Sequence, residues 1–173
     1  MQIVICEKIS RITKNRNKLQ RELDVQIETK GKEVSISGDA EKEYIAEKVV
    51  QALDFGFPFS AALLLKEEDF MMEILNIKSY TKRQDLPSIR ARIIGKDGKA
   101  LKTLSSLTKC NIELKDNQVG LIGEPEYIRY AQEGIVSIIH GAKHSNVYAF
   151  LEKHQPQPVI DLGLKEVKKK KKR

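Results

Sequence analysis

Gly95 and Gly98, with Lys96 between them and Lys99 directly after, are the residues of this chain best suited to holding an anion. Glycine accepts a positive φ, so the chain can turn sharply here. It also removes the side chain that would keep a phosphodiester away from the backbone. If a helix starts at Lys99, its first N–H groups have no partner within the helix, and they point at the same turn, where negative charge is favoured. Lys96, Lys99 and Lys102 add charge that can pair with phosphates. Arg90 and Arg92 extend a basic rim, and Asp97 completes the turn. Ile93 and Ile94 precede the turn. Together with Leu104 and the stretch Asn111 to Leu114 they can wall a groove in which bases are met by apolar contact and hydrogen bonds to their edges. Two glycines at this spacing are most often a plain helix–helix turn, so their surroundings decide.

The surroundings are basic. Between Lys78 and Lys109 nine Lys and Arg residues are opposed only by Asp85 and Asp97. The net charge of the whole chain is +7, and six of those charges lie in the unbroken run Lys168 to Arg173, which leaves +1 for the rest. A polyanion partner is indicated. The terminal run suits either sequence-independent, salt-screened attraction to phosphates or a solvated end. No stretch of 18 apolar residues is present, so no membrane span is expected. The apolar start, Met1 to Cys6, is too short for a secretory signal. Cys6 and Cys110 form no C-x-x-C pair, so neither a disulfide framework nor a zinc site is expected; a reducing, cytoplasmic setting fits, and no cofactor is called for.

An internal repeat organises the chain. Val25-Gln26-Ile27-Glu28 matches Cys110-Asn111-Ile112-Glu113, and Val34-Ser35-Ile36-Ser37-Gly38 matches Val119-Gly120-Leu121-Ile122-Gly123, both at an offset of 85 residues. Each copy reads as two alternating strands joined by a polar turn, Lys30-Gly31-Lys32 or Lys115-Asp116-Asn117. A long amphipathic helix follows in each, carrying Ile45, Val49 and Leu53 in the first copy and Ile128, Ala131, Ile135 and Ile138 in the second. Gly56 and Gly141 stand where those helices should end. Upstream in the second copy, Met72 to Ile77 is expected as a strand and Ser88 to Ile94 as a short helix. A second helix should bury Leu101, Leu104 and Leu107. The segment from Phe57 to Asp69 should form a short bridging helix. Two units this small have thin cores and are expected to pack on each other.

Ile93-Ile94-Gly95-Lys96-Asp97-Gly98-Lys99 resembles the signature loop of the KH domain, and Met72 to Gly141 is similar to a whole domain of that type. Three further stretches, Phe55-Gly56-Phe57-Pro58, Leu86 through Gly95, and His144 through Leu151, resemble the partner-of-Nob family, archaeal and eukaryotic KH proteins of small-subunit ribosome assembly. The resemblance extends to about Lys153. It implies an α+β fold of two tandem type I KH domains (strand-helix-helix-strand-strand-helix). The first, degenerate, should cover 1–56 and the second 72–153, with a connecting helix at 57–71 and a basic disordered tail at 154–173. It also implies single-stranded ribosomal RNA as the partner, bound near the 3′ end of the small-subunit precursor. Help to the endonuclease that matures that end is implied too and, in archaea, contact with a translation initiation factor subunit.

The first copy departs from the pattern. Aligning Ile12 with Ile94 and Leu19 with Leu104 leaves six residues where the second copy has nine, so its loop should be shortened by three. Thr13-Lys14-Asn15-Arg16 then stands in place of the glycines, and the groove should be lost or altered. Lys8 to Arg21 nonetheless holds six basic residues and no acidic one, which leaves weak phosphate contact open. No catalytic constellation stands out. His140 and His144 lack a third metal ligand, and Tyr148 and Phe150 suit packing. Glu67-Glu68-Asp69 is the one acidic cluster that could support metal-dependent hydrolysis. The alternatives to an assembly factor are a KH-class translational or messenger-RNA regulator and, more remotely, a metal-dependent nuclease.

Overall fold

The computed structural model describes residues 1–155, so the terminal basic run lies outside the described residues. The first copy comprises β1 (Gln2–Ile5), α1 (Ile9–Leu23), β2 (Gln26–Lys30), β3 (Glu33–Ser37) and α2 (Ala40–Phe55). A bridging helix α3 (Phe59–Leu63) runs into a 3₁₀ turn at Leu64–Lys66, as expected for the connector. The second copy comprises β4 (Met71–Asn76), α4 (Leu86–Ile94), α5 (Lys99–Thr108), β5 (Asn111–Lys115), β6 (Gln118–Gly123), α6 (Pro125–Ile139) and α7 (His144–Lys153). The fold is α+β. Each copy has an antiparallel three-stranded sheet with its last strand in the centre, ordered β1-β3-β2 and β4-β6-β5.

The hairpins repeat residue for residue. Lys30 pairs with Glu33 and Lys115 with Gln118, so each turn has two central residues. The first of these is left-handed in both copies, Gly31 at φ +61° and Asp116 at φ +52°, as the twist of a tight hairpin requires. Upstream of the hairpin the copies diverge. Gln2 pairs with Ile36, and Glu73 pairs with Leu121. The first members of these pairs are 71 residues apart and the second members 85, so the second copy holds 14 more residues between its first strand and its hairpin.

Those extra residues overturn the expectation of a shortened loop in the first copy, because that copy has no loop at all. α1 is a single helix of 15 residues that runs straight through Thr13-Lys14-Asn15-Arg16. It contains neither Gly nor Pro, and it buries Ile12, Leu19 and Leu23 on one face. Thr13 Oγ1 and Asn15 Nδ2, from residue types that often leave helices, donate instead to the carbonyls four residues back, Ile9 and Arg11, at 3.0 and 2.7 Å. One helix therefore stands before the first hairpin where α4 and α5 stand before the second. The first copy is strand-helix-strand-strand-helix.

The two copies are packed on each other. β6 turns Val119 and Leu121 toward its own helices, while Ile122, on the opposite face, joins the core of the first copy. Gly120 lies on that opposite face too, where a Cβ would stand 2.6 Å from the Phe55 ring and 2.9 Å from the Phe57 ring. The absent side chain makes room for this aromatic corner, and Phe57 is fully buried. Burying such a ring contributes about 2–3 kcal/mol. Polar ties surround the corner. Arg11 donates to the carbonyls of Gly56 and Phe57 at 2.7 and 2.9 Å, and Lys115 reaches Glu7 at 3.0 Å and Asp54 at 3.9 Å. At the other end, packing continues past Lys153, the expected boundary. The His154 ring lies 4.5 Å from that of Tyr130 and 4.6 Å from that of Phe150, and Gln155 donates to Leu107 O. Tyr148 and Phe150 pack against the second core.

Candidate nucleic-acid interface

The two glycines of the loop do different things. α4 ends at Gly95 (φ +74°), whose N–H donates to Ala91 O at 2.8 Å. A Cβ there would lie 2.5 Å from Ala100 Cβ and 2.8 Å from Ala100 N. Gly95 is thus demanded by the close seating of α4 on α5. Gly98 (φ +73°) caps α5, and a Cβ at that position would meet nothing within 4 Å. Between them Asp97 is also left-handed, at φ +55°. No side chain caps the start of α5; the Gly98 and Lys99 N–H groups turn back onto the carbonyls of Gly95 and Lys96, and the positive end of the helix faces the open side of Gly98. Lys96, Asp97, Lys99 and Lys102 are all exposed around this opening. The arrangement suits a phosphodiester laid against Gly98, with the positive end of α5 and the lysines as its counter-charges.

The apolar wall is smaller than expected. Ile94 is 37% exposed beside the loop, and Leu114 is half-buried on β5. Ile93, one residue earlier on α4 and so turned by about 100°, is fully buried in the second core, as is Leu104. Neither can face a base, so both expectations are corrected. The basic rim also shrinks. Arg92 donates through both guanidinium nitrogens to Ile138 O and Ala142 O, at 2.8 and 2.6 Å, and His144 Nε2 lies 2.7 Å from Arg92 O. Arg92 therefore ties the end of α6 to α4, sharing the Ile138 carbonyl with the Gly141 N–H, which donates to it at 3.0 Å. No signal in the sequence separates such a carbonyl clamp from a phosphate ligand. Arg90 is half-buried and reaches Asp116 O at 3.3 Å, bracing the hairpin turn against α4. Of the residues expected at the site, Ile94 and the three lysines remain exposed around the loop, and Leu114 is half-buried.

Other chemistry finds no support among the described residues. No group of three or more His, Cys, Asp and Glu is arranged to hold a metal. His140 Nε2 lies 2.8 Å from Tyr80 O, and His144 is engaged with Arg92. Glu67, Glu68 and Asp69 are exposed at a turn. Both cysteines are free and buried. Burial first, and then the Asp54 carboxylate, push the Cys6 thiol up to about 11; burial likewise pushes Cys110 to about 11. Both are protonated at neutral pH and are poor nucleophiles. Among the described residues no helix is long and apolar enough to cross a membrane.

Known proteins match this architecture. Residues 71–156 match the model of the second KH domain of Pno1, described as a eukaryotic-type KH domain of type I. A KH domain-containing protein of Methanocaldococcus jannaschii is 31% identical over 144 residues, which cover 79% of this chain and 63% of that protein. The pre-rRNA-processing protein pno1 of Aspergillus oryzae is 34% identical over 111 residues, covering 62% of this chain and 43% of that protein. The chain thus spans less than two thirds of the length of either relative. A chain in the crystal structure of the a/eIF2alpha–aDim2p–rRNA complex from Pyrococcus horikoshii superposes with a TM-score of 0.78 at 25% identity, over 88% of this chain and 92% of that one. Residues 71–156 match a KH domain of type I, and the chain is similar to KH proteins that include pno1 and an archaeal KH domain-containing protein.

Proposed function

We propose that this protein is an RNA-binding assembly factor of the small ribosomal subunit. It holds single-stranded RNA near the 3′ end of the pre-ribosomal small-subunit RNA and assists maturation of that end without cutting it. One observation carries the proposal: an open left-handed Gly98 at the start of α5, ringed by exposed Lys96, Lys99 and Lys102, inside a type I KH domain. A KH groove of this kind takes about four nucleotides. Gly98 lets the backbone approach, the lysines neutralise phosphates, and Ile94 and Leu114 meet the bases. The first copy, with α1 and its aromatic corner, forms the partner domain over 1–56, and 57–71 connects the two. The relatives support the ribosomal assignment. One is named as a pre-rRNA-processing protein, and a structural neighbour comes from a complex with rRNA and an initiation factor subunit. The rRNA-maturing endonuclease and an initiation factor subunit are the protein partners in this scheme, and the cytoplasm is its place of action.

Crosslinking to RNA in cells, followed by sequencing of the bound fragments, tests the proposal. Fragments should concentrate at the 3′ end of the small-subunit precursor. A mixed pool of messenger RNAs without that concentration would replace ribosome assembly by messenger-RNA regulation.

A further inference from the structure

Helix α1 is the element in which the first copy differs from the second, and its surface is basic along one line. Arg11, Lys14, Lys18 and Arg21 recur at spacings of three and four, so they fall on one stripe of the helix. Arg11 is spent on the Gly56 and Phe57 carbonyls. Lys14, Lys18 and Arg21 are exposed, and none has an ion-pair partner among the described residues. Elsewhere on the same body Lys42, Lys66 and Lys115 are paired with carboxylates. Lys18 lies over the Phe59 ring of α3, 6.0 Å from its centroid. Arg21 opens onto a cleft of about 520 Å³ that also exposes the amides of Asn17 and Gln20. Asp24, at the rim of that cleft, is neutralised by Lys42.

The stripe starts where the groove ends. β5 is the edge strand that carries Leu114, and its Lys115 is bonded to Glu7, just before α1. Glu113 on β5 feels the charges of Arg11 and Lys8. An RNA strand leaving the groove over the β5 edge therefore meets the first turn of α1 and then Lys14, Lys18 and Arg21 in succession. From the geometry we infer that α1 is a second RNA site, a straight phosphate-binding rail that takes the backbone of the strand beyond the groove without reading its bases. A rail needs charge on a rigid helix and no glycine loop, so the unbroken α1 serves it. The inference rests on the groove being an RNA site, and the experiment separates the two.

The probe is a single-stranded oligouridylate of roughly 20 nucleotides, titrated against salt with the full chain, for which each phosphate contact adds about 0.7 to the slope of log K against log salt. The triple variant Lys14→Ala, Lys18→Ala, Arg21→Ala should weaken binding by at least about tenfold and lower the slope by about 2, as three lost phosphate contacts require. The same loss should appear in a Gly98→Asp background, where the groove is closed. The charge-keeping variant Lys14→Arg, Lys18→Arg, Arg21→Lys should bind like the parent. Unchanged affinity and slope in the alanine variant would overturn the rail and leave the groove standing, as would equal losses in the alanine and charge-keeping variants. If Gly98→Asp by itself changed nothing while the alanine variant lost affinity, the groove would fall and the rail would stand. Thermal melting of the alanine variant should match the parent, since all three side chains are exposed.

Discussion

The two copies share a hairpin and a long helix at a constant offset of 85 residues, and they differ in what precedes the hairpin. The first copy has one helix, whose buried face is made by Ile12, Leu19 and Leu23. The second has two helices, and between them a loop in which Gly95, Asp97 and Gly98 all take positive φ. Interrupting a helix loses backbone hydrogen bonds, and a left-handed non-glycine residue such as Asp97 costs about 1–2 kcal/mol. The second copy accepts that cost and obtains an exposed helix N-terminus on the open side of a side-chain-free residue. The first copy keeps a continuous helix, and its charge stays on side chains. One scaffold therefore presents a helix N-terminus beside a side-chain-free residue in one copy and a line of cations in the other.

The comparison can be broken at its most demanding point by Gly95→Ala. The added Cβ would crowd the backbone of Ala100 at a residue already at φ +74°, so strain and overpacking add to about 3 kcal/mol. Thermal melting should show the second copy destabilised, with RNA binding lost along with the fold. Arg92→Met comes next. It removes two charge-assisted bonds that hold α6 to α4, and the melting midpoint should fall by the equivalent of about 2 kcal/mol. Affinity per folded molecule should be unchanged, because Arg92 does not reach the groove; a selective loss of affinity would return Arg92 to the RNA rim. In the first copy, Thr13→Gly with Arg16→Gly restores the glycine spacing inside α1. It should cost about 1 kcal/mol of helix stability and add no RNA affinity, since Ile12 and Leu19 hold the helix closed.

The smallest effect concerns the strand between the copies. Burial raises the Glu113 carboxyl above the ordinary carboxylate range, against the opposing pull of Arg11 and Lys8. The folded state therefore binds this proton more tightly than the unfolded chain does. Stability falls as pH rises from the ordinary carboxylate value through the raised one. Glu113→Gln should be more stable than the parent at neutral pH. The advantage should vanish in acid, and urea unfolding at two pH values would show it.

Much of this was legible in the chain itself. The hairpins announce themselves because a two-residue turn needs a residue that tolerates positive φ, and Gly31 and Asp116 supply it. The regular spacing of Ile128, Ala131, Ile135 and Ile138 reveals α6, and the glycines with their lysines reveal the loop. The rest depended on contacts between residues far apart in the chain. Thr13 and Asn15 read as loop formers until their side chains are seen bonded to the preceding turn. Ile93 and Ile94 look alike in sequence, yet one is in the core and the other at the groove. Arg92 meets carbonyls 46 and 50 residues away, which no local pattern discloses. Gly120 looks like a weak point in a strand, and only the seated Phe55–Phe57 corner explains it.

The difference between the copies rests on Gly98, so the most direct measurement is the affinity of Gly98→Asp for the RNA fragment recovered by crosslinking, with thermal melting in parallel. A Cβ at this position meets nothing, and the left-handed backbone costs an Asp about 1–2 kcal/mol, so the variant should fold with a lowered melting midpoint. Its carboxylate would stand where the phosphodiester approaches. Specific binding should fall by about a hundredfold or more, roughly 2.7 kcal/mol, leaving only salt-sensitive, sequence-independent attachment. A folded Gly98→Asp protein that binds the fragment as tightly as the parent would contradict the account.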